Sequence, residues 1–396
     1  MSMISVEEAL VRLKSQSRVL VDEQKIKLDE GLGRVLASDI VSGINVPPAD
    51  NSAMDGYALR WEDWRGSDHA LKISQRIAAG TPPAPLTAGT AARIFTGAEI
   101  PDGADVVVMQ EKCRTDGQSV LIEVVRDIGA NIRPKGQDIR QGATVLQAGH
   151  RLRAQDLGLI ASLGIARIGV RRRLKVAVVS TGEELVEPGD IAGPGQIYNS
   201  NRYLLKAMLG EWGFDVVDLG VTADDPDVIS EVLTQASREA DAIVTTGGVS
   251  VGEEDHVKAV VESLGRIDLW RVAIKPGKPF AFGDVLGTPF LGLPGNPVSA
   301  FVTVLVIARP FLFDSQGVEH HEILPVKQHA LFDKKGSPRQ EYLRVRSGTG
   351  GVEIFPQQSS GVLFSTCWGD GMVVQKAGEN ITHGDLVDVI PYVMFN

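Results

Sequence analysis

The sequence predicts a multidomain α/β and β protein with a doubly wound parallel sheet at its centre. Three observations predict it. Between residues 174 and 313, short apolar runs alternate with segments of helical spacing, the pattern of βαβ units with helices on both faces of one sheet. From 43 to 141, short β-like runs are separated by Pro/Gly clusters such as GTPPAPLTAGT and IPDGAD. From 323 to 396, the chain is all short alternating strands and glycine turns, which predicts a small β-barrel. With 396 residues and roughly 100–200 residues per domain, about two to four domains are expected.

In chain order, SVEEALVRL opens a helix with a Ser-x-x-Glu capping box at Ser5 and Glu8. LDEGLGRVLASDI follows with Leu28, Leu32, Val35 and Leu36 at helical spacing, so residues 5–42 are expected to be helical. ALKISQRI, AARIFTG, DVVVMQE and VLIEVV are the strands of the β-rich segment, and RAQDLGLIASLG (153–164) returns to helix. In the central region KVAVVS, FDVVDLGV, DAIVTT, WRVAI, PFAFG and PFLGL read as strands. SNRYLLKAMLGEWG, PDVISEVLTQASREA, EDHVKAVVESLG and NPVSAFVTVLVIARPF read as helices. EYLRVRSGTGGVEIF, MVVQKAG and GDLVDVIPYV supply the last strands.

Composition is that of a soluble globular protein, 43% hydrophobic and 23% charged. The net charge of −10 argues against general nucleic-acid binding, which needs a basic face. It also means that an anionic ligand needs a local positive site. The two cysteines, Cys113 and Cys367, lie far apart without a CxxC, so a reducing, cytoplasmic setting is expected. The N-terminus has no apolar signal core. The longest apolar stretch, 298–308, is short for a bilayer span, ends at Arg309-Pro310 and reads as a buried helix.

The stretch TTGGVSVGEEDHVK (245–258) carries the chemical question. A glycine-rich turn between strand and helix suits an anion, yet this one, with Gly247, Gly248 and Ser250, is followed by Glu253, Glu254 and Asp255. Ligands bind beyond the carboxyl ends of strands in such sheets, and STGEELVEPGD and LPGNPVSA are expected on the same edge. In the latter, Asn296 is a good N-cap and Pro297 suits the first helical position, aiming a helix N-terminus at the crevice from beside Pro294. Taken singly, each loop serves equally as a tight turn, and the acids as solvated first-turn residues. Three loops on one edge favour a phosphate pocket. A divalent cation reconciles carboxylates with phosphates, and Mg²⁺ takes one or two carboxylates plus phosphate oxygens. Asp255, Glu184 and Asp224 are the candidate ligands.

Lys275 and Lys278 flank a Pro-Gly turn with Arg271 upstream, a set of point charges for an anion or else a solvated hairpin. A second basic set, Arg133, Lys135 and Arg140 around Asp138, reads alternatively as a surface turn. VPPADNSAMDGYALR presents Asp55 on a structured turn, and Thr96-Gly97 ends another strand.

Seven stretches in order, SAMDGYA, RIFTGA, GQDIRQG, STGEEL, TTGGVSVGEEDH, AIKPGKP and LGLPGNPVSAF, resemble the molybdopterin molybdenumtransferase family, which includes the MoeA proteins and the E domain of gephyrin. The resemblance implies four subdomains: an elongated helical part (1–42 plus 142–173), an inserted β-rich part (43–141), a central α/β molybdopterin-binding domain (174–322) and a C-terminal β-barrel (323–396). It implies a homodimer whose cleft joins the central domain of one subunit to the N-terminal β-domain of the other. The implied reaction inserts molybdate into adenylylated molybdopterin with Mg²⁺-dependent pyrophosphate cleavage and AMP release, downstream of a molybdopterin adenylyltransferase. Asp55, Thr96, Asp138 and Glu184 then match catalytic positions. Asp255 matches a cleft position as well, and Arg133, Lys275, Lys278, Pro294 and Pro297 match substrate-binding ones, to which the loop reading adds Ser250, Gly247, Gly248, Arg271 and Asn296. The family often has Asp where this chain has Glu183. Two other readings stay open: a molybdopterin adenylyltransferase, and a non-catalytic scaffold of the gephyrin type.

Overall fold

The computed structural model describes residues 3–125, 127–248 and 256–395. The chain divides into two compact units: Met1–Ala37, Ala148–Arg153 and Arg167–Asn396 form one, and Ser38–Gln147 with Ala154–Ala166 the other.

The first unit is built on a six-stranded sheet in the order Asp215–Thr222, Lys175–Thr181, Ala242–Thr246, Thr288–Leu293, Pro279–Val285, Gly265–Arg271. The first four strands are parallel. Pro279–Val285 runs antiparallel to both its neighbours, Thr288–Leu293 and Gly265–Arg271, so the expected parallel sheet is corrected to a mixed one. The reason is local. Pro279–Val285 and Thr288–Leu293 are joined only by Leu286 and Gly287, whose φ angles are 51° and 83°. Two such residues make a tight hairpin, which connects antiparallel neighbours and leaves no room for a crossover helix.

Alternation along the strands divides the core. Val176, Val178, Val244, Leu291 and Leu293 pack on one side with Leu205 and Leu209 of the helix Ser200–Glu211 and with Val302 and Leu305. Ala177, Ile243 and Phe290 face the other side against Ile229 and Leu233 of Pro226–Glu239 and Val257 and Val261 of His256–Leu264. Each buried Leu or Ile adds about 1.5–3 kcal/mol, and covering both faces explains the nearly continuous apolar runs. The helical stretch from Pro297 to Gln316 is long and apolar enough to cross a membrane by length and composition, but 78% of its apolar window is buried inside the protein. It does not stop at Arg309-Pro310. Val304–Ala308 widens into a π-helical turn, and Arg309–Gln316 continues. The wider turn relieves the clash that the Pro310 ring would make with the carbonyl four residues back.

The N-terminal helix Val6–Gln16 starts as expected: Ser5 Oγ accepts from Glu8 N at 3.0 Å. Glu8 itself pairs with Arg12 at 2.6 Å. Residues 28–36 are not helical. Leu28–Glu30 is one 3₁₀ turn after the strand Glu23–Lys27, and Val35 and Leu36 make bridges to Arg151 and Val170. Gly33, at φ 72°, breaks any helix there, and Leu32 faces solvent, so the apparent apolar stripe never shared one face. At the C-terminal end, Val326–His329, Gln340–Gly348, Gly351–Ile354, Gly371–Gln375 and Leu386–Pro391 form one curled sheet. The bridge Ala330↔Val352 brings its first strand back to Gly351–Ile354 around a core of Leu343, Val345, Val373 and Val389.

The second unit holds its own six-stranded sheet, in the order Val106–Met109, Gly56–Leu59, Thr90–Ile94, Ala70–Ile77, Ser119–Ile122, Cys113–Thr115. Only the Ala70–Ile77 and Thr90–Ile94 pair is parallel. Gly56–Leu59 is buried on both faces, Tyr57 and Leu59 in one cluster and Ala58 in another.

Candidate functional site

At the carboxyl ends of the parallel strands, the three expected loops meet. Gly247 has φ 88°, and a Cβ there would fall 2.6 Å from the Thr181 carbonyl oxygen. Gly248 has φ 62°, and a Cβ there would fall 2.3 Å from Val257 Cγ2. A Cβ on Gly295 would lie 3.7 Å from Gly247 Cα. Gly247 and Gly248 are therefore required by both backbone conformation and packing, and with Gly295 at ordinary contact distance they draw 181–182, 247–248 and 295 into one small area. Pro294 is buried beneath it, and Gly295 and Asn296 are exposed. Asn296 occupies the N-cap position and Pro297 the first helical position, but the Asn296 side chain makes no capping bond. That expectation is corrected: no side chain caps this helix, and Val298 N donates instead to the Ser360 carbonyl at 3.0 Å. Glu184 is exposed, and its carboxylate curls over Gly182, where a Cβ would fall 2.5 Å from Oε2.

One residue here escaped notice in the sequence. Asn201, 9% exposed, donates from Nδ2 to the Gly295 carbonyl at 2.7 Å, while its buried Oδ1 has no partner. An amide on the first turn of Ser200–Glu211 thus fixes the Pro-Gly turn. The available signal was a second asparagine in YNSN, just inside a helix that follows a Thr-Gly loop.

The STGEEL loop is anchored by a charged network. Arg202 binds Glu187 at 2.8 Å and Asp218 at 2.8 Å, Lys206 also binds Asp218, and Tyr203 donates to Glu187 at 3.1 Å. Partial burial opposes ionisation of Asp218, but hydrogen bonds from Arg202, Lys206 and Gly220 N outweigh it and bring the pKa down to about 2. A carboxylate whose pKa falls on folding stabilises the native state above its unfolded value and loses that contribution as the pH drops through the folded value. Asp218 should therefore add about 2 kcal/mol above pH 4, fading toward pH 2. Urea unfolding of the native protein and Asp218→Asn from pH 6 to 3 should show the native protein's advantage shrinking with acidity. A constant gap would remove this coupling.

The lysine turn lies in the same unit. Arg271 ends Gly265–Arg271, Lys278 is exposed, and Val272 N donates to the Lys278 carbonyl at 3.0 Å. Lys275 is not simply solvated: its Nζ is 2.6 Å from Glu341 Oε1. Arg339 Nη1 reaches the Ile274 and Gly277 carbonyls at 3.1 and 3.0 Å. Neither Glu341 nor Arg339 was legible as part of this turn, because each is some sixty residues away in sequence.

Asp224 lies just before Asp225, the residue whose side chain caps Pro226–Glu239. Asp255 and Ser250 lie outside the described residues, as do Glu253 and Glu254. Among the described residues, no group of three or more His, Cys, Asp or Glu could hold a metal ion. Glu184, exposed beside the glycine turns, suits an ion held mainly by phosphate oxygens and water, the usual mode for Mg²⁺.

In the second unit, Asp55 follows the strand Asn51–Ser52. Its Oδ1 accepts from Thr96 N at 2.8 Å and Thr96 Oγ1 at 2.7 Å. These bonds, helped by Arg93, hold the Asp55 carboxyl below the usual range. Ser52 O accepts from Gly97 N at 2.8 Å, and Asn51 pairs in register with Arg133. Asn51–Ser52 therefore ties Asp55, Thr96 and Arg133 into one neighbourhood. Asp138 and Arg140 are exposed on the next turn, where Asp138 N bonds to the Val46 carbonyl at 3.0 Å and Lys135 N to Asp50 Oδ1 at 2.7 Å.

Comparison with known proteins adds a third line. Residues 4–164 match the MoeA N-terminal region (domain I and II), 177–314 a probable molybdopterin binding domain and 333–392 the MoeA C-terminal region (domain IV). Over 318 residues, 80% of this chain and 78% of the relative, the chain is 42% identical to a molybdopterin molybdenumtransferase of Haemophilus influenzae. The chain belongs to the molybdopterin molybdenumtransferase (MoeA) family. It is also 40% identical to molybdopterin molybdenumtransferase 2 of Mycobacterium tuberculosis, over 74% of this chain and 75% of that one. The crystal structure of the molybdopterin biosynthesis MoeA protein from Pyrococcus horikosii superposes with a TM-score of 0.84 at 32% identity, covering 100% of both chains. The MoeA-type multidomain fold, with its mixed sheets, is thus shared.

Proposed function

We propose that this chain acts in molybdenum cofactor biosynthesis, inserting molybdate into adenylylated molybdopterin with cleavage of the pyrophosphate and release of AMP. The observation that carries this reading is the convergence of Gly247, Gly248 and Gly295 beside Thr181 at the carboxyl ends of the parallel strands. It makes a backbone-lined cradle for phosphate oxygens. Lys275, Lys278 and Arg271 supply positive charge to a chain that is acidic overall. Mg²⁺ would neutralise the charge that develops as the phosphoanhydride breaks. Glu184 and, in the same proposal, Asp224 and Asp255 would hold it. The protein's own part is to bind two anions, exclude competing water and orient the pterin sulfurs toward molybdate. Asp55, Thr96, Asp138 and Arg133 are assigned to the same reaction. A four-subdomain division, a homodimer, a cytoplasmic setting and an upstream molybdopterin adenylyltransferase complete the proposal.

The test supplies purified protein with adenylylated molybdopterin, Mg²⁺ and molybdate. AMP release should rise with molybdate and stop on chelation of Mg²⁺. Formation of adenylylated pterin from ATP, without molybdate-dependent release, would instead make this an adenylyltransferase. Neither activity would leave a scaffold.

A further inference from the structure

We propose that Glu341, on a C-terminal strand outside the glycine cradle, is a positioning residue that fixes the Lys275 ammonium for anion binding. The inference rests on the assignment of Lys275 to substrate binding made above. The Glu341 side chain is 2% exposed. Its Oε1 lies 2.6 Å from Lys275 Nζ and its Oε2 3.5 Å from Lys334 Nζ. Burial disfavours the Glu341 carboxylate, but hydrogen bonds from Lys275 and Ser337 and the Lys334 charge more than offset this, so its pKa falls below the usual range.

Three features make this a positioning device rather than a surface ion pair. First, the strand Ile274–Lys275 pairs in parallel with Gln340 and Glu341, placing Lys275 directly opposite Glu341. Second, the two residues before Glu341 hold the same turn. Gln340 N donates to the Ala273 carbonyl at 2.9 Å, and Arg339 binds the carbonyls on either side of Pro276. Third, one carboxylate faces two ammonium groups, which leaves one positive charge in excess. The Lys275 side chain keeps 37% of its surface exposed, and of the three N–H donors of its ammonium the Glu341 contact takes one. A lysine head on four rotatable carbons is otherwise mobile and strongly hydrated. A buried carboxylate that pins it from behind removes the ordering cost from the binding step.

The test is a double-mutant cycle in the AMP-release assay with the full chain: native protein, Lys275→Ala, Glu341→Gln and the double variant. Lys275→Ala identifies which KM the lysine serves, that for molybdate or that for adenylylated molybdopterin. Glu341→Gln should raise the same KM roughly tenfold with kcat changed by less than about threefold, and should have no further effect in the Lys275→Ala background. If Glu341→Gln does not fold, Glu341→Asp, which keeps the charge but withdraws it by one methylene, should raise the same KM. An unchanged KM in a folded Glu341 variant, or effects that multiply in the double variant, would overturn the proposal. An unchanged KM in Lys275→Ala would remove the lysine assignment and the proposal with it. A native protein without molybdate-dependent release would instead strike the functional reading itself.

Discussion

Asp55→Ala should lower molybdate-dependent AMP release by roughly 10²–10⁴-fold, the range for loss of a positioned acid or base, with little change in thermal midpoint. The carboxylate lies at the surface and its two hydrogen bonds both come from Thr96, so its removal strands no buried donor. Asp55→Asn separates geometry from charge. Its amide oxygen can accept both Thr96 bonds and hold the turn, but it carries no charge and takes up no proton. The two variants should be comparably impaired. If Asp55→Asn alone kept native activity, Asp55 would act only as a turn former, and if Asp55→Ala also kept it, the residue would have no part in the reaction. Because Thr96 keeps the carboxyl pKa low, Asp55 is ionised through neutral pH. Its protonation should not limit activity between pH 6 and 8.

Gly247→Ala should destabilise the first unit by roughly 2–4 kcal/mol and abolish turnover. The new methyl would meet the Thr181 carbonyl oxygen at 2.6 Å, a backbone atom that cannot swing away, and the residue would have to hold φ at 88°. Gly117→Ala is the control. It also sits at positive φ (90°), but a Cβ there meets nothing within 4 Å, so it registers the conformational penalty without the clash. Urea unfolding of both variants, followed by a probe in each unit, gives the difference. Equal midpoint shifts would mean that the 181 and 247 turns are not in contact.

Much of the fold could be read from local pattern. The strands Ala70–Ile77, Lys175–Thr181 and Asp215–Thr222 and the helices Ala154–Ser162 and Pro226–Glu239 fall where apolar periodicity puts them, because burial of one face or of both imposes its own residue pattern. Strand direction was less legible. The hairpin at Leu286-Gly287 marks antiparallel neighbours, but VLGT lacks the Asn-Gly or Asp-Gly signal that usually announces such a turn. Residues 28–36 misled for the opposite reason. Leu28, Leu32, Val35 and Leu36 match a helical period, yet Val35 and Leu36 bridge to Arg151 and Val170, far along the chain, and no local window contains those partners.

The candidate site divides in the same way. Thr-Gly-Gly, Pro-Gly-Asn-Pro and Pro-Gly-Lys-Pro announce turns by their own conformational demands, so Gly247, Pro294 and Lys275 stand out in the bare sequence. What those turns touch is decided by pairing across long separations. Asn201 holds Gly295 from 94 residues away and Glu341 holds Lys275 from 66. The sequence by itself determined most of the strands, helices and tight turns, because φ preference and apolar period are properties of a few neighbouring residues. Only the tertiary structure decided which turns share a cradle, which lysine is pinned and which sheet is mixed. Those depend on register between distant strands, set by how whole apolar faces bury against one another.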